Sequence, residues 1–160
     1  PFPILMLGLA AVLAVADQLL KYLVVQNLKP IGTYVLIENF LDFTYVENRG
    51  AAFGILSDQR WFFIVTTGIL MALIVLLLFF YQRHTIVTYL ASALILGGGV
   101  GNLIDRILLG YVVDYIHFSF FPPVFNFADC AVVVGTFLFV LHVLFTAERP
   151  KGEPVLRRRR

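Results

Sequence analysis

The amino-acid sequence predicts a mainly α membrane protein, with four transmembrane helices and a small extracytoplasmic β-sheet between helices 1 and 2. Three observations carry that prediction. The 160 residues are 60% hydrophobic and only 14% charged, a balance foreign to soluble globular domains. Four apolar stretches reach or approach the roughly 20 residues that cross a bilayer. One intervening segment breaks the pattern, being short-periodic and rich in β-branched and aromatic residues.

The first helix is expected over about residues 4–25. Asp17 and Lys21 stand where a cleavable leader would be small and neutral, so this stretch reads as a retained helix and not as a secretory signal. The surface β region follows over about 30–53, with strands at Thr33–Ile37 and Leu41–Val46 and a turn at Glu38-Asn39. The second helix, about 61–81, opens on Trp61, Phe62 and Phe63, which suit the interfacial aromatic belt. The third, about 86–109, contains Gly97-Gly98-Gly99 and Gly101. Small residues four apart let another helix approach closely, and packing is preferred here to a direct substrate role. The segment 110–126 reads as a loop, aromatic from Phe118 to Phe125, with Pro122-Pro123 barring a helix. Both this loop and the β region are expected to dip toward lipid. The fourth helix covers about 127–146 and a basic tail 147–160. Little chain is left over, so residues 1–160 form one membrane domain.

Arg149, Lys151 and Arg157 to Arg160 crowd the C-terminus, and Arg83 marks the turn between the second and third helices. The positive-inside rule then makes both ends and that turn cytoplasmic. The tail is expected at the cytoplasmic surface beside anionic lipid, and one short basic run predicts no nucleic-acid partner. The single cysteine, Cys130, allows no internal disulfide and reads as a small apolar filler.

The chemistry is carried by carboxylates. Asp114, in Val112-Val113-Asp114-Tyr115, and Asp129, in Phe125-Asn126-Phe127-Ala128-Asp129, sit at the mouths of apolar segments. An ionisable group at membrane depth faces protein or water and marks a functional path. Neither has a lysine or arginine within four residues. They therefore either meet each other or find cations across the bundle. Brought together they would share a proton and supply one acid and one base, as in an aspartic protease; the plain alternative is a pair of ion-bridged helix-end carboxylates. Asp17 and Lys21, four apart on one helix face, read as an ion pair before any direct chemical role. Asn102, Asp105 and Arg106 read as scaffold, Arg106 pairing with a carboxylate in bidentate fashion and Asn102 satisfying leftover donors and acceptors. Asn126, three before Asp129, suits the N-cap of the last helix.

Other chemistries fit less well. Ser57, Ser92 and Ser119 lie in no nucleophile motif, and a His-Glu-x-x-His pair is missing from the sequence. His84 and His142 read as interface residues. A metal held by Asp105, Asp114, His117 and Asp129 is disfavoured because the spacing is unspecific, so no cofactor is expected. A proton-coupled carrier would also use intramembrane charges, but these gather at one membrane face and leave the helix centres apolar. A purely structural anchor leaves the buried polar groups unexplained.

Taken in order, Asp17-x-x-x-Lys21, Asn48-Arg49-Gly50-Ala51-Ala52-Phe53-Gly54, Gly101-Asn102-Leu103-Ile104-Asp105-Arg106, Gly110-Tyr111-Val112-Val113-Asp114 and Phe125-Asn126-Phe127-Ala128-Asp129 closely resemble the bacterial lipoprotein signal peptidase family, signal peptidase II. The resemblance implies an inner-membrane aspartic endopeptidase that removes signal peptides from prolipoproteins, cutting before a diacylglyceryl-modified cysteine. It implies Asp114 and Asp129 as the catalytic pair, and Asp17, Lys21, Asn48, Gly50, Gly54, Gly98, Asn102, Asp105, Arg106 and Asn126 as supporting or substrate-binding residues. It further implies a monomer working near the outer face, with membrane lipid and the modified signal peptide as partners. Tyr115 stands where phenylalanine is expected in many relatives.

Overall fold

The computed structural model describes residues 2–50, 58–81 and 84–147. Gly54, Arg83 and the basic tail therefore lie outside the described residues. In chain order the elements are α1 Phe2–Asn27, β1 Thr33–Ile37, β2 Leu41–Asn48, α2 Arg60–Phe80, α3 Ile86–Leu108, β3 Val112–Phe118, β4 Phe121–Phe125 and α4 Phe127–Ala147. All four helices are long and apolar enough to cross a membrane.

The helices are not equivalent. Over its most apolar window α3 is 61% buried, against 17%, 11% and 17% for α1, α2 and α4, so α3 is the post around which the others stand. It packs against all three. Its glycines make this possible, because each removes a side chain at a different contact. A methyl group on Gly97 would strike Leu13 and the Ala10 carbonyl of α1; on Gly98, the Ala128 carbonyl of α4; on Gly99, the Met71 thioether of α2; on Gly101, the Asp17 carboxylate of α1. Close helix approach through small residues is the usual packing solution where lipid replaces water. The outer helices turn residues such as Trp61, Phe80 and Phe145 outward, as expected where the solvent is hydrocarbon.

The end of α3 is tied off twice. Leu109 N–H and Gly110 N–H both donate to the Asp105 carbonyl, at 2.7 and 3.2 Å. Gly110 takes the left-handed conformation, φ +84°, that this helix stop requires and that glycine adopts without strain. From α2, Arg60 donates to the carbonyls of Arg106 and Ile107 at 2.7 and 2.5 Å, covering acceptors that a helix end leaves unpaired.

The sheet is larger than the sequence predicts. The segment 110–126, expected as an aromatic loop, contains β3 and β4, and the four strands form one antiparallel sheet in the order β1-β2-β3-β4. The prolines that forbid a helix do not forbid a strand here: Pro122 and Pro123 lie in the edge strand β4 between Phe121 and Val124, where the register with β3 is irregular and neither proline has a paired residue, so no ladder bond is lost. The expected turn after β1 is present, with Asn39 at φ +58°. β3 alternates as a strand must. Val113 and Tyr115 pack with Leu28 in a cluster that includes Val24 and Val25 from the end of α1, leaving Asp114 on the opposite face, across from Val46 of β2.

Candidate active site

Asp129 lies in the first turn of α4 and Asp114 in β3, and the two are brought together by Asn126 immediately before α4. The Asn126 side-chain amide donates to Asp114 Oδ1 at 2.6 Å. Its amide oxygen accepts the Asp129 N–H at 2.8 Å, while Asp129 Oδ2 accepts the Asn126 N–H at 3.2 Å. That reciprocal pair is a capping box with aspartate in the usual glutamate place. One asparagine thus starts the helix, fixes one carboxylate by backbone geometry and holds the other through its side chain.

Two more asparagines complete the setting. Asn48, diagonal to Asp114 across β2 and β3, donates to Asp114 Oδ2 at 2.8 Å, and its own amide oxygen accepts the Gly50 N–H at 2.9 Å. Asn102 of α3 donates to Asp129 Oδ1 at 2.7 Å and accepts from Asn126 at 3.0 Å. All four oxygens of the two carboxylates accept hydrogen bonds from neutral amides. Among the described residues neither carboxylate has an ion-pair partner. Burial first, and the neighbouring Asp129 charge second, push the Asp114 carboxyl up to about 7, because both penalise its ionised form.

Behind this pair stands a second buried cluster. Lys21 Nζ lies 2.8 Å from Asp17 Oδ2, 2.9 Å from Asp105 Oδ2 and 2.9 Å from Asn102 Oδ1, which uses all three ammonium protons. The ion pair expected within α1 is therefore a bridge from α1 to α3. Asp105 Oδ2 also accepts the Val113 N–H at 3.0 Å, anchoring β3. Asp17 Oδ1 accepts the Ala128 N–H at 3.1 Å, and the Phe127 N–H donates to the Tyr115 hydroxyl at 3.3 Å. The first three N–H groups of α4 are thus satisfied by side chains from β3, from α1 and from Asn126, the complete N-terminal accounting that a buried helix start demands.

Some expected contacts differ. Arg106 forms no ion pair among the described residues; its guanidinium stands 4.9 Å over the Phe63 ring, a cation–π arrangement, because α3 presents it to α2 at the edge of the site. Gly98 is a packing residue against α4. Cys130 is exposed on α4 and fills no core. Three participants have no counterpart in the sequence reading. Gln18 donates to Asp105 Oδ1 at 2.8 Å and to the Gly101 carbonyl at 3.1 Å; Arg60 caps α3; the Tyr115 hydroxyl serves α4. Gln18 was visible as an amide beside Asp17 in an apolar helix, whereas the tasks of Arg60 and Tyr115 depend on contacts distant in sequence.

Asp129 lines a cavity of about 440 Å³ bounded by α2, α3, α4, β4 and Asn48 at the end of β2. Asn48, Asn102, Arg106 and Asp129 line one part of it; Leu70, Met71, Ile95 and Val132 line another. It is mostly apolar with a few convergent polar groups, the character of a binding site.

Comparison with known proteins places this geometry in context. The family described as signal peptidase (SPase) II matches residues 9–145. A lipoprotein signal peptidase of Caldanaerobacter subterraneus subsp. tengcongensis is 46% identical over 129 residues, covering 81% of this chain and 88% of that protein. One from Acinetobacter baumannii is 41% identical over 160 residues, covering 95% and 90%. Among solved structures, a bacterial membrane enzyme determined by the in meso method superposes with a TM-score of 0.82 at 32% identity, covering 93% of each chain.

Proposed function

Because the chain belongs to the signal peptidase II family, we propose that it is an aspartic endopeptidase that removes signal peptides from prolipoproteins, cleaving before a diacylglyceryl-modified cysteine, with Asp114 and Asp129 as its catalytic pair. The observation that supports this most is the bridging of the two carboxylates by Asn126, with every carboxylate oxygen bonded to a neutral amide. A cation would hold the carboxylates permanently ionised; amides leave them free to exchange a proton.

In the mechanism, one proton belongs to the pair. The ionised carboxylate takes a proton from water as that water attacks the scissile carbonyl carbon. The protonated carboxyl then gives its proton to the amide nitrogen as the C–N bond breaks. Asn48, Asn102 and Asn126 hold both groups in register through these steps, and a site held in advance spends nothing on reorientation during reaction. The Gly50 N–H holds Asn48 in turn. The mature part of the substrate leaves on the outer side. The acyl chains stay in the bilayer beside the helices, so a small enzyme can demand a lipidated substrate without enclosing the lipid.

The enzyme spans the bacterial inner membrane with both termini in the cytoplasm, an orientation supported by Arg83 and the basic tail. It works as a monomer, since one chain supplies both carboxylates and the three asparagines. The decisive experiment is cleavage of a diacylglyceryl-modified prolipoprotein peptide in detergent. The native chain is expected to cut before the modified cysteine, and neither Asp129→Asn nor an unlipidated peptide with the native enzyme should give product. Cleavage surviving in Asp129→Asn would remove that residue from the chemistry, and a folded native chain that cuts nothing would defeat the peptidase reading.

A further inference from the structure

The cavity beside the pair has a floor as well as a mouth. Along α3, Asn102 holds Asp129, Gly99 lies three residues toward the membrane interior and Ile95 four further, so the apolar end begins roughly one helical turn, about 5 Å, beneath the carboxylates. Met71 of α2 forms that floor. It is buried and its thioether lies against the bare Cα of Gly99, where an added methyl would come within 2.5 Å of both Sδ and Cε. Methionine is the most adaptable of apolar side chains, with three rotatable bonds and a soft sulfur. Here its terminal atoms rest on a position that holds no side chain.

Resting on the peptidase reading, we propose that Met71 seated on Gly99 is a specificity-determining element, setting the size of the apolar side chain accepted on the signal-peptide side of the cut. A signal peptide approaches from within the membrane, so its residues before the scissile bond lie on the deep side of the carboxylates. In extended form a peptide advances about 3.3 Å per residue. A depth of one turn therefore corresponds to a residue one to two places removed from the scissile bond. The flanking Leu70, Ile95 and Val132 make this end suitable for an aliphatic or aromatic group and unsuitable for a charge.

The test uses the full-length enzyme in detergent and lipidated peptides carrying Ala, Leu or Phe at each of the three positions before the modified cysteine. Met71→Ala deepens the cavity and is expected to shift the kcat/KM ratio of the Phe to the Ala peptide by about tenfold or more in favour of Phe, at one position only. Gly99→Ala lifts the methionine into the cavity and shifts the ratio at that same position toward Ala. A thermal melt of each variant separates misfolding from altered choice, and the Met71→Ala result stands alone if Gly99→Ala does not fold. Unchanged ratios in folded Met71→Ala, or equal changes at all three positions, overturn the proposal. Failure of the native enzyme to cut even the Ala peptide overturns the peptidase reading itself, a result distinct from unaltered selectivity.

Discussion

Two groups of aspartates lie side by side, and they are held in opposite ways. Asp17 and Asp105 share the ammonium of Lys21, whereas Asp114 and Asp129 are held by asparagines. A buried carboxylate bonded to a cation is fixed in its ionised form, and removing the cation leaves an uncompensated charge. A buried carboxylate bonded to amides is oriented just as firmly but keeps its proton within reach. Three elements link the groups: Asn102, which accepts from Lys21 on one side and donates to Asp129 on the other, the backbone of α4, whose Ala128 N–H is held by Asp17, and the backbone of β3, whose Val113 N–H is held by Asp105. On the mechanism proposed above, the contrast separates framework from chemistry using one residue type.

The largest test of that contrast is isosteric. Asp114→Asn and Asp129→Asn should each cut turnover by about 10²–10⁴-fold or more, the double variant being no worse than either single one because the residues act as a unit. Melting temperature in detergent should fall only slightly, since each change turns one hydrogen-bond acceptor toward an amide donor but keeps the shape of the site and its other bonds. A large loss of stability would show that the pair, too, is framework. Lys21→Met should reverse the signature, with a stability loss of about 3–5 kcal/mol from stranding buried carboxylates, measured by thermal unfolding. A Lys21→Met protein of native stability would erase the distinction.

These roles were unequally legible. The four helices show as apolar runs, and the Asp17–Lys21 pair shows because a four-residue spacing in a helix places both on one face. The cap at Asn126 was legible for a similar local reason. The β3–β4 hairpin was not, since Phe121-Pro122-Pro123 has no strand alternation and becomes an edge strand only beside β3, itself paired with β2 from far along the chain. Arg106 misled because its charge suggests a carboxylate partner, yet the direction in which α3 presents it decides that it meets Phe63. Asp17 reaching α4 is a contact 111 positions apart, and no local pattern announces it.

A finer test is titration. With Asp114 pushed up to about 7 by burial and by Asp129, turnover should fall above about pH 7 as the shared proton is lost. Stability carries the same sign: a raised carboxyl contributes fully below its unfolded value near 4, and that contribution is lost as pH rises through about 7. Asp114→Asn should flatten this slope in pH-dependent melts. A slope unchanged in that variant would assign it to another group. The smallest expected effect is that of Tyr115→Phe, which deletes the acceptor for Phe127 N–H. It should cost about 0.5–1.5 kcal/mol with the pH profile of turnover unaltered, and a displaced profile would mean that the hydroxyl tunes the pair directly.

The start of α4 has a consequence for biosynthesis. Its first N–H groups find their acceptors on α1, made well before it, and on β3, made just before α4. Helix α4 therefore brings Asp129 into its hydrogen-bonded place only after α1 has been met again. A chain caught partway through insertion has one carboxylate on a hairpin and none opposite it. On the mechanism proposed above, hydrolytic power arrives with topological closure, so an unfinished or misinserted copy has no means of cutting the proteins being threaded through the membrane around it.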